Sequence, residues 1–181
     1  MGNGRFFFED ECHLTWGDIC GYVWGAKTER IKLPIVNERL RRSYFGALNI
    51  MTGRVVIKSY DDAKGESVVN FLAHLLRSNP RCKLTVFWDG ASVHRCALIR
   101  DFLEKINQGK AGLKARILLV RLAPNAPEEN PIEDVWLQGK THIRQTLGYE
   151  NFSKVQESFK NFVGRKKFAF SKIKKHQQYY K

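Results

Sequence analysis

Two short runs, Leu84-Thr85-Val86-Phe87-Trp88 and Ile117 to Leu122, are apolar along almost their whole length. A strand with one wet face alternates polar and apolar residues. Runs that are apolar on both faces belong to strands covered by helices above and below, which makes this an α/β chain. Helical spacing fits around them. Gly65 to Arg77 has apolar residues at positions 68, 69, 72, 75 and 76, and Asn79-Pro80 stops it. Ser92 can cap a helix running to about Asn107, with Ala97, Leu98, Phe102, Leu103 and Ile106 as its buried stripe and Gly109 and Gly112 after its end.

The front of the chain reads differently. Arg5 to Glu11 is a strand with Phe6, Phe8 and Asp10 on one face and Phe7, Glu9 and Glu11 on the other. Leu14 to Leu40 is irregular, punctuated by Gly17, Gly21, Gly25 and Pro34, with a short hairpin expected near Tyr22-Val23-Trp24. Ser43 to Met51 and Arg54 to Tyr60 form an antiparallel hairpin joined at Thr52-Gly53. Beyond Leu122, one helix opens near Asn130 and stops near Gly148, and a last helix runs from Phe152 towards Phe170. Three strands in a meander, followed by alternating helices and strands, describe a mixed five-stranded sheet flanked by helices on both faces. Residues 1–150 are expected to form the main domain. Residues 151–181 form a basic C-terminal helix and tail that either belongs to it or extends it.

Of 181 residues, 31 are Lys or Arg and 18 are Asp or Glu, a net charge of +13. From Ser153 to Lys181 there are nine Lys and Arg against one acid, so most of the surplus lies in the tail. Such a balance favours a polyanionic partner, nucleic acid before an anionic membrane surface. No apolar run reaches membrane-spanning length, and the N-terminus lacks a signal-peptide pattern. Cys12, Cys20, Cys82 and Cys96 form no C-x-x-C pair, as expected of reduced thiols in the cytoplasm.

Three of the five prolines fall between Pro124 and Pro131, stiffening the chain ahead of a helix. Asn130 suits an N-cap, Pro131 the first helical position, and Glu133 the third position of a capping box. Read locally, Glu133 is a cap. With the whole chain in view it has company. Asp10 lies near the end of the first strand and Asp89 ends a central one. If those strands are adjacent, two carboxylates meet at one end of the sheet, where sites form in α/β folds, and the proline loop can bring in Glu133. Three such acids repel unless a cation neutralises them, and an all-oxygen set suits Mg²⁺ or Mn²⁺. Two ions sharing a carboxylate would serve phosphoryl transfer.

Three blocks carry a resemblance: Phe8-Glu9-Asp10-Glu11, Trp88-Asp89-Gly90-Ala91-Ser92-Val93-His94 and Asn130-Pro131-Ile132-Glu133-Asp134-Val135-Trp136. Together they resemble the signature blocks of DDE transposases of the mariner superfamily, closest to its bacterial insertion-sequence branch. Asp89 and Glu133 are separated by 43 residues, a spacing compatible with that branch. The resemblance implies a ribonuclease H-like fold and Mg²⁺- or Mn²⁺-dependent cutting and joining of DNA at transposon ends and target. It also implies two metal ions and a homodimer on DNA. Asp10, Asp89 and Glu133 would be the catalytic, metal-binding carboxylates, with His94 and Asn130 as supporting groups. Trp88 and Trp136 read as core.

The chain departs from the family pattern at Asn125-Ala126, where a Tyr-Ser pair is common, and at Gly90, where Asn is common. Four residues before the first strand leave no room for the helix-turn-helix domains that usually precede the catalytic domain, so a catalytic domain alone is expected. Two alternatives stay open: another nuclease of the same fold, or a catalytically silent nucleic-acid-binding remnant.

Overall fold

The computed structural model describes residues 4–20, 25–28, 39–89, 96–123, 129–146 and 148–179. Five strands, β1 (Gly4–Thr15), β2 (Arg41–Asn49), β3 (Arg54–Tyr60), β4 (Lys83–Trp88) and β5 (Ile117–Arg121), build one sheet in the order β3-β2-β1-β4-β5. β1 is its hinge. It runs antiparallel to β2 on one side and parallel to β4 on the other. The helices are α1 (Gly65–Ser78), α2 (Ala97–Asn107), α3 (Ile132–Gln145), α4 (Phe152–Arg165) and α5 (Ser171–Gln177).

Alternation along β1 divides the core. Phe7 joins Phe45, Ala47, Val68, Leu72, Val86 and Trp88 under α1 and α2. Phe8, Cys12 and Leu14 join Tyr44, Leu48, Trp136, Val155 and Phe159 under α3 and α4. Both faces of the sheet are therefore covered, as the apolar runs at β4 and β5 require.

The expected hairpin is present: β2 and β3 pair from Asn49 with Arg54 to Ser43 with Tyr60. Its turn is held by Asn49, whose Oδ1 accepts from the amides of Met51 and Thr52 at 3.0 Å each. Three elements differ from expectation. β1 continues past Glu11 to Thr15, because β2 pairs with it as far as Arg41. α2 begins at Ala97 rather than at Ser92, which lies outside the described residues, as does the hairpin expected near Tyr22-Val23-Trp24. The long last helix breaks in two. α4 stops at Arg165 because the Phe168 amide donates at 2.7 Å to the Gly53 carbonyl in the β2–β3 turn, and α5 then starts afresh.

Gly53 is the meeting point of that turn and the C-terminal segment. Its φ is +68°, and a Cβ there would lie 2.1 Å from the backbone oxygen of Phe168. A backbone atom cannot swing aside as a side chain can. Gly53→Ala is expected to lower stability by at least ~1 kcal/mol, from positive-φ strain plus this clash. Urea denaturation checks it: an unchanged midpoint would mean that the contact does not constrain the native chain.

Candidate active site

Asp10 lies on β1, Asp89 directly follows β4, and Glu133 lies in the first turn of α3. The β1–β4 register pairs Phe7 with Val86 and Phe8 with Phe87. That ladder ends at Phe8 and Phe87, and continuing its direction leads Asp89 towards Asp10, whose carboxyl feels the charge of Asp89. Glu133 reaches that face because α3 packs across β1 and β2.

Trp136, one turn along α3 from Glu133, joins helix to strand. Its indole Nε1 donates to Asp10 Oδ2 at 3.2 Å, although its ring is buried in the core. Gly46 makes the approach possible. It is the β2 partner of Asp10, and a Cβ on it would lie 2.3 Å from the Trp136 ring. The expectation that Trp136 is core captures its burial and misses its polar end. A buried indole N–H usually has a partner, and the Glu133–Trp136 spacing of three residues already put both on one helix face.

Asn130 has a different task from the one its cap position suggested. The N-cap of α3 falls on Pro131, which offers no side-chain cap. Asn130 is buried, and its Nδ2 donates at 3.2 Å to the backbone oxygen of Glu9, next to Asp10. Its Oδ1 accepts from the Ile132 amide at 3.4 Å. The residue thus pins the start of α3 to the strand that carries Asp10. His94 lies outside the described residues, as do Gly90 and Pro124 to Glu128.

The electrostatics register how near the acids are to one another. Burial first, then the charge of Glu11, push the Asp10 carboxyl up to about 7. Glu133 and Asp89 add to the shift, and a backbone hydrogen bond at Glu11 opposes it. Glu9, on the opposite face of β1, is fully buried, and neither of its carboxylate oxygens has a hydrogen-bond partner among the described residues. Burial, then Glu11, Asp10 and Asp89, raise its pKa well above the usual range. A neutral acid is the form that such a site tolerates. Glu9 was legible only as a member of the Phe7 face. Asp134, beside Glu133, is occupied elsewhere by an ion pair with Lys172 at 3.0 Å.

Among the described residues no three His, Cys, Asp or Glu side chains are gathered into a coordination cage. The donor chemistry nevertheless fits a hard divalent cation. Asp10, Asp89 and Glu133 offer only carboxylate oxygens, and the repulsion from Glu133 and Asp89 that adds to burial and Glu11 in raising Asp10 is what such a cation relieves.

The family model described as DDE superfamily endonuclease matches residues 5–156, a range that takes in all three acids. The chain belongs to this family. Its fold is that of the mariner-type DDE domains. The Mos1 strand transfer complex aligns with a TM-score of 0.66 at 14% identity, over 97% of this chain and 52% of that one. The mariner Mos1 paired end complex with Mg gives a TM-score of 0.67 at 14% identity, over 96% and 52%. The catalytic domain of Mos1 mariner transposase gives 0.60 at 12% identity, over 96% and 78%. This chain thus spans about half the length of the Mos1 chains in the complexes. No curated protein sequence matches it. The mixed sheet with helices on both faces is the ribonuclease H-like arrangement that the sequence blocks implied.

The raised acids set a pH dependence. The folded chain keeps the Asp10 proton to about pH 7, whereas the unfolded chain releases it near its ordinary 3.8. The native state therefore binds more protons across that window. Stability of the metal-free protein should fall as pH rises from about 4 to 7, with Asp10 contributing up to ~4 kcal/mol and Glu9 acting in the same direction. Asp10→Asn should flatten the slope and raise the melting temperature at pH 7. Thermal unfolding across that range tests this; equal slopes in the two proteins would refute the assignment.

Proposed function

We propose that this DDE endonuclease domain is the catalytic unit of a DNA transposase of the bacterial insertion-sequence type, with Asp10, Asp89 and Glu133 as its metal-binding triad. The observation that carries the reading is the convergence on Asp10. It lies on the strand paired with the one that leads to Asp89, feels the charges of Glu133 and Asp89, and accepts a hydrogen bond from the helix that bears Glu133.

Mg²⁺ or Mn²⁺, two ions in the full reaction, would supply Lewis acidity for activating water or a 3′-hydroxyl and for stabilising the leaving oxygen. The protein's own part is to present the donors. Asp10 must give up its proton to serve as a ligand, so loading is favoured as pH rises towards 7 and beyond. Trp136 holds the Asp10 carboxyl in one orientation while the proton leaves. Asn130 ties the start of α3 to β1, so Glu133 cannot drift away from the strand it must face. The cationic tail from Ser153 to Lys181 would neutralise phosphates of the DNA strand being cut. Because joining two transposon ends to a target takes two active sites, the working form would be a homodimer on DNA. Its setting would be the cytoplasm, at the nucleoid when DNA-bound. Among the described residues no helix is long and apolar enough to cross a membrane.

The test is nicking of supercoiled plasmid in Mn²⁺. The parent chain should nick, and Asp89→Ala and Glu133→Ala should each lower the rate by at least ~100-fold while leaving DNA affinity within about threefold. Nicking that survives both substitutions would rule out the triad. Faster cutting of RNA–DNA hybrid than of duplex DNA would turn the reading towards another nuclease of this fold. Trp136→Phe, which keeps the ring and removes the donor, should leave folding nearly intact and slow nicking by about tenfold. Equal rates would show that the indole N–H does not orient Asp10.

A further inference from the structure

The C-terminal helix has an inner face that the proposed chemistry does not use. After crossing the β2–β3 turn at Gly53, the chain returns through α5 beneath the start of α3. Phe168 and Ile173 are buried in the same core as Phe8. The His176 ring sits 4.6 Å from the Phe8 ring, centroid to centroid, on the strand that carries Asp10. Its Nε2 lies 3.1 Å from the backbone oxygen of Glu129. A carbonyl only accepts, so Nε2 must carry the proton in that bond. The next residue, Gln177, donates from its Nε2 to the Ile50 carbonyl just past β2 at 2.8 Å, fastening the same C-terminal end of the helix. Two lysines add charge. Lys172 meets Asp134 at 3.0 Å with both side chains partly covered, and Lys175 meets Glu129 at 3.5 Å in a more exposed pair. An exposed pair contributes little, so His176 and Lys172 are the ties that matter.

These ties fall on either side of one short segment. Glu129 and Asp134 bracket Asn130 to Glu133, and both are held by the same seven-residue helix, itself fastened to β1 and to the end of β2. A segment that enters from a proline-rich loop and carries a metal-binding carboxylate needs such fastening. A displacement of 1 Å at a ligand is enough to cost activity.

We propose that α5 is a positioning brace for the third carboxylate, with His176 and Lys172 acting on Glu133 through the Glu129 carbonyl and the Asp134 side chain. The proposal rests on the triad reading above. It assigns the basic C-terminal segment a role inside the active site, separate from any contact with DNA.

The decisive comparison is His176→Leu, which keeps bulk against Phe8 and removes the donor, with His176→Gln, which restores an N–H donor. Lys172→Met cuts the second tie at a partly exposed position and serves if the Leu variant does not fold. In the metal-free protein, amide exchange at Asn130 to Val135 should speed up about tenfold in His176→Leu, with α1 and α2 unchanged. Mn²⁺ affinity by calorimetry should weaken at least fivefold, and the nicking kcat should fall by about tenfold with KM for DNA unchanged. His176→Gln should recover most of both. If His176→Leu and Lys172→Met bind Mn²⁺ and cut like the parent, the brace is wrong while the triad stands. If the parent binds no Mn²⁺, or Glu133→Gln does not weaken its binding, the triad reading fails and the proposal falls with it. A rise in KM at constant kcat would also overturn it, because it would place these residues in DNA binding.

Discussion

A carboxyl group held at the centre of a sheet is expensive in free energy, and the arrangement around Asp10 is a response to that cost. β1 is the central strand, and at Asp10 it is still paired with Gly46 of β2, so the carboxyl rides on a fixed backbone. Burial and neighbouring acids favour its protonated form. What counters them is a backbone hydrogen bond at Glu11, while an indole donor from α3, admitted by the missing side chain at Gly46, also bonds the carboxyl. The metal-free domain is thus a strained electrostatic state. A divalent cation would relieve it, and binding would be linked to the loss of a proton.

The same constraint explains the architecture of the second and third blocks. Parallel pairing of β1 with β4 leads Asp89 towards Asp10 without any special loop. Glu133 has no such strand to carry it. It depends on a helix whose entry is pinned by Asn130 to the Glu9 carbonyl and flanked by contacts from α5. Asp10 is fixed by a backbone ladder, Asp89 by the strand end it follows, and Glu133 by side chains, which makes Glu133 the most sensitive to substitution at a distance.

Much of this was readable from residue order. The apolar runs at β4 and β5 marked covered strands, the alternation of Phe6 to Glu11 marked the two faces of β1, and Thr52-Gly53 marked the hairpin. Boundaries slipped where a long-range bond overrode local pattern. β1 outlasts its acidic cluster because β2 continues to pair with it. The Phe152–Phe170 helix breaks because Gly53 takes the Phe168 amide. Asn130 looked like a cap; besides accepting from the Ile132 amide it serves as an anchor, because its Nδ2 bonds a carbonyl 121 residues away.

Periodicity and turn chemistry are local, so the sequence by itself determined the kinds of element, their order, the burial of each strand face, and the placing of Asp89 just past a strand and Glu133 at a helix start, whereas Asp10, read near the end of the first strand, lies within it. Only the tertiary structure decided that β1 and β4 are neighbours, that Trp136 turns its donor onto Asp10, that Glu9 is enclosed without a partner among the described residues, and that the C-terminal helix returns beneath the Glu133 segment. Those are contacts between residues dozens to more than a hundred positions apart. Their energies come from shape and burial, which no spacing rule along the chain records.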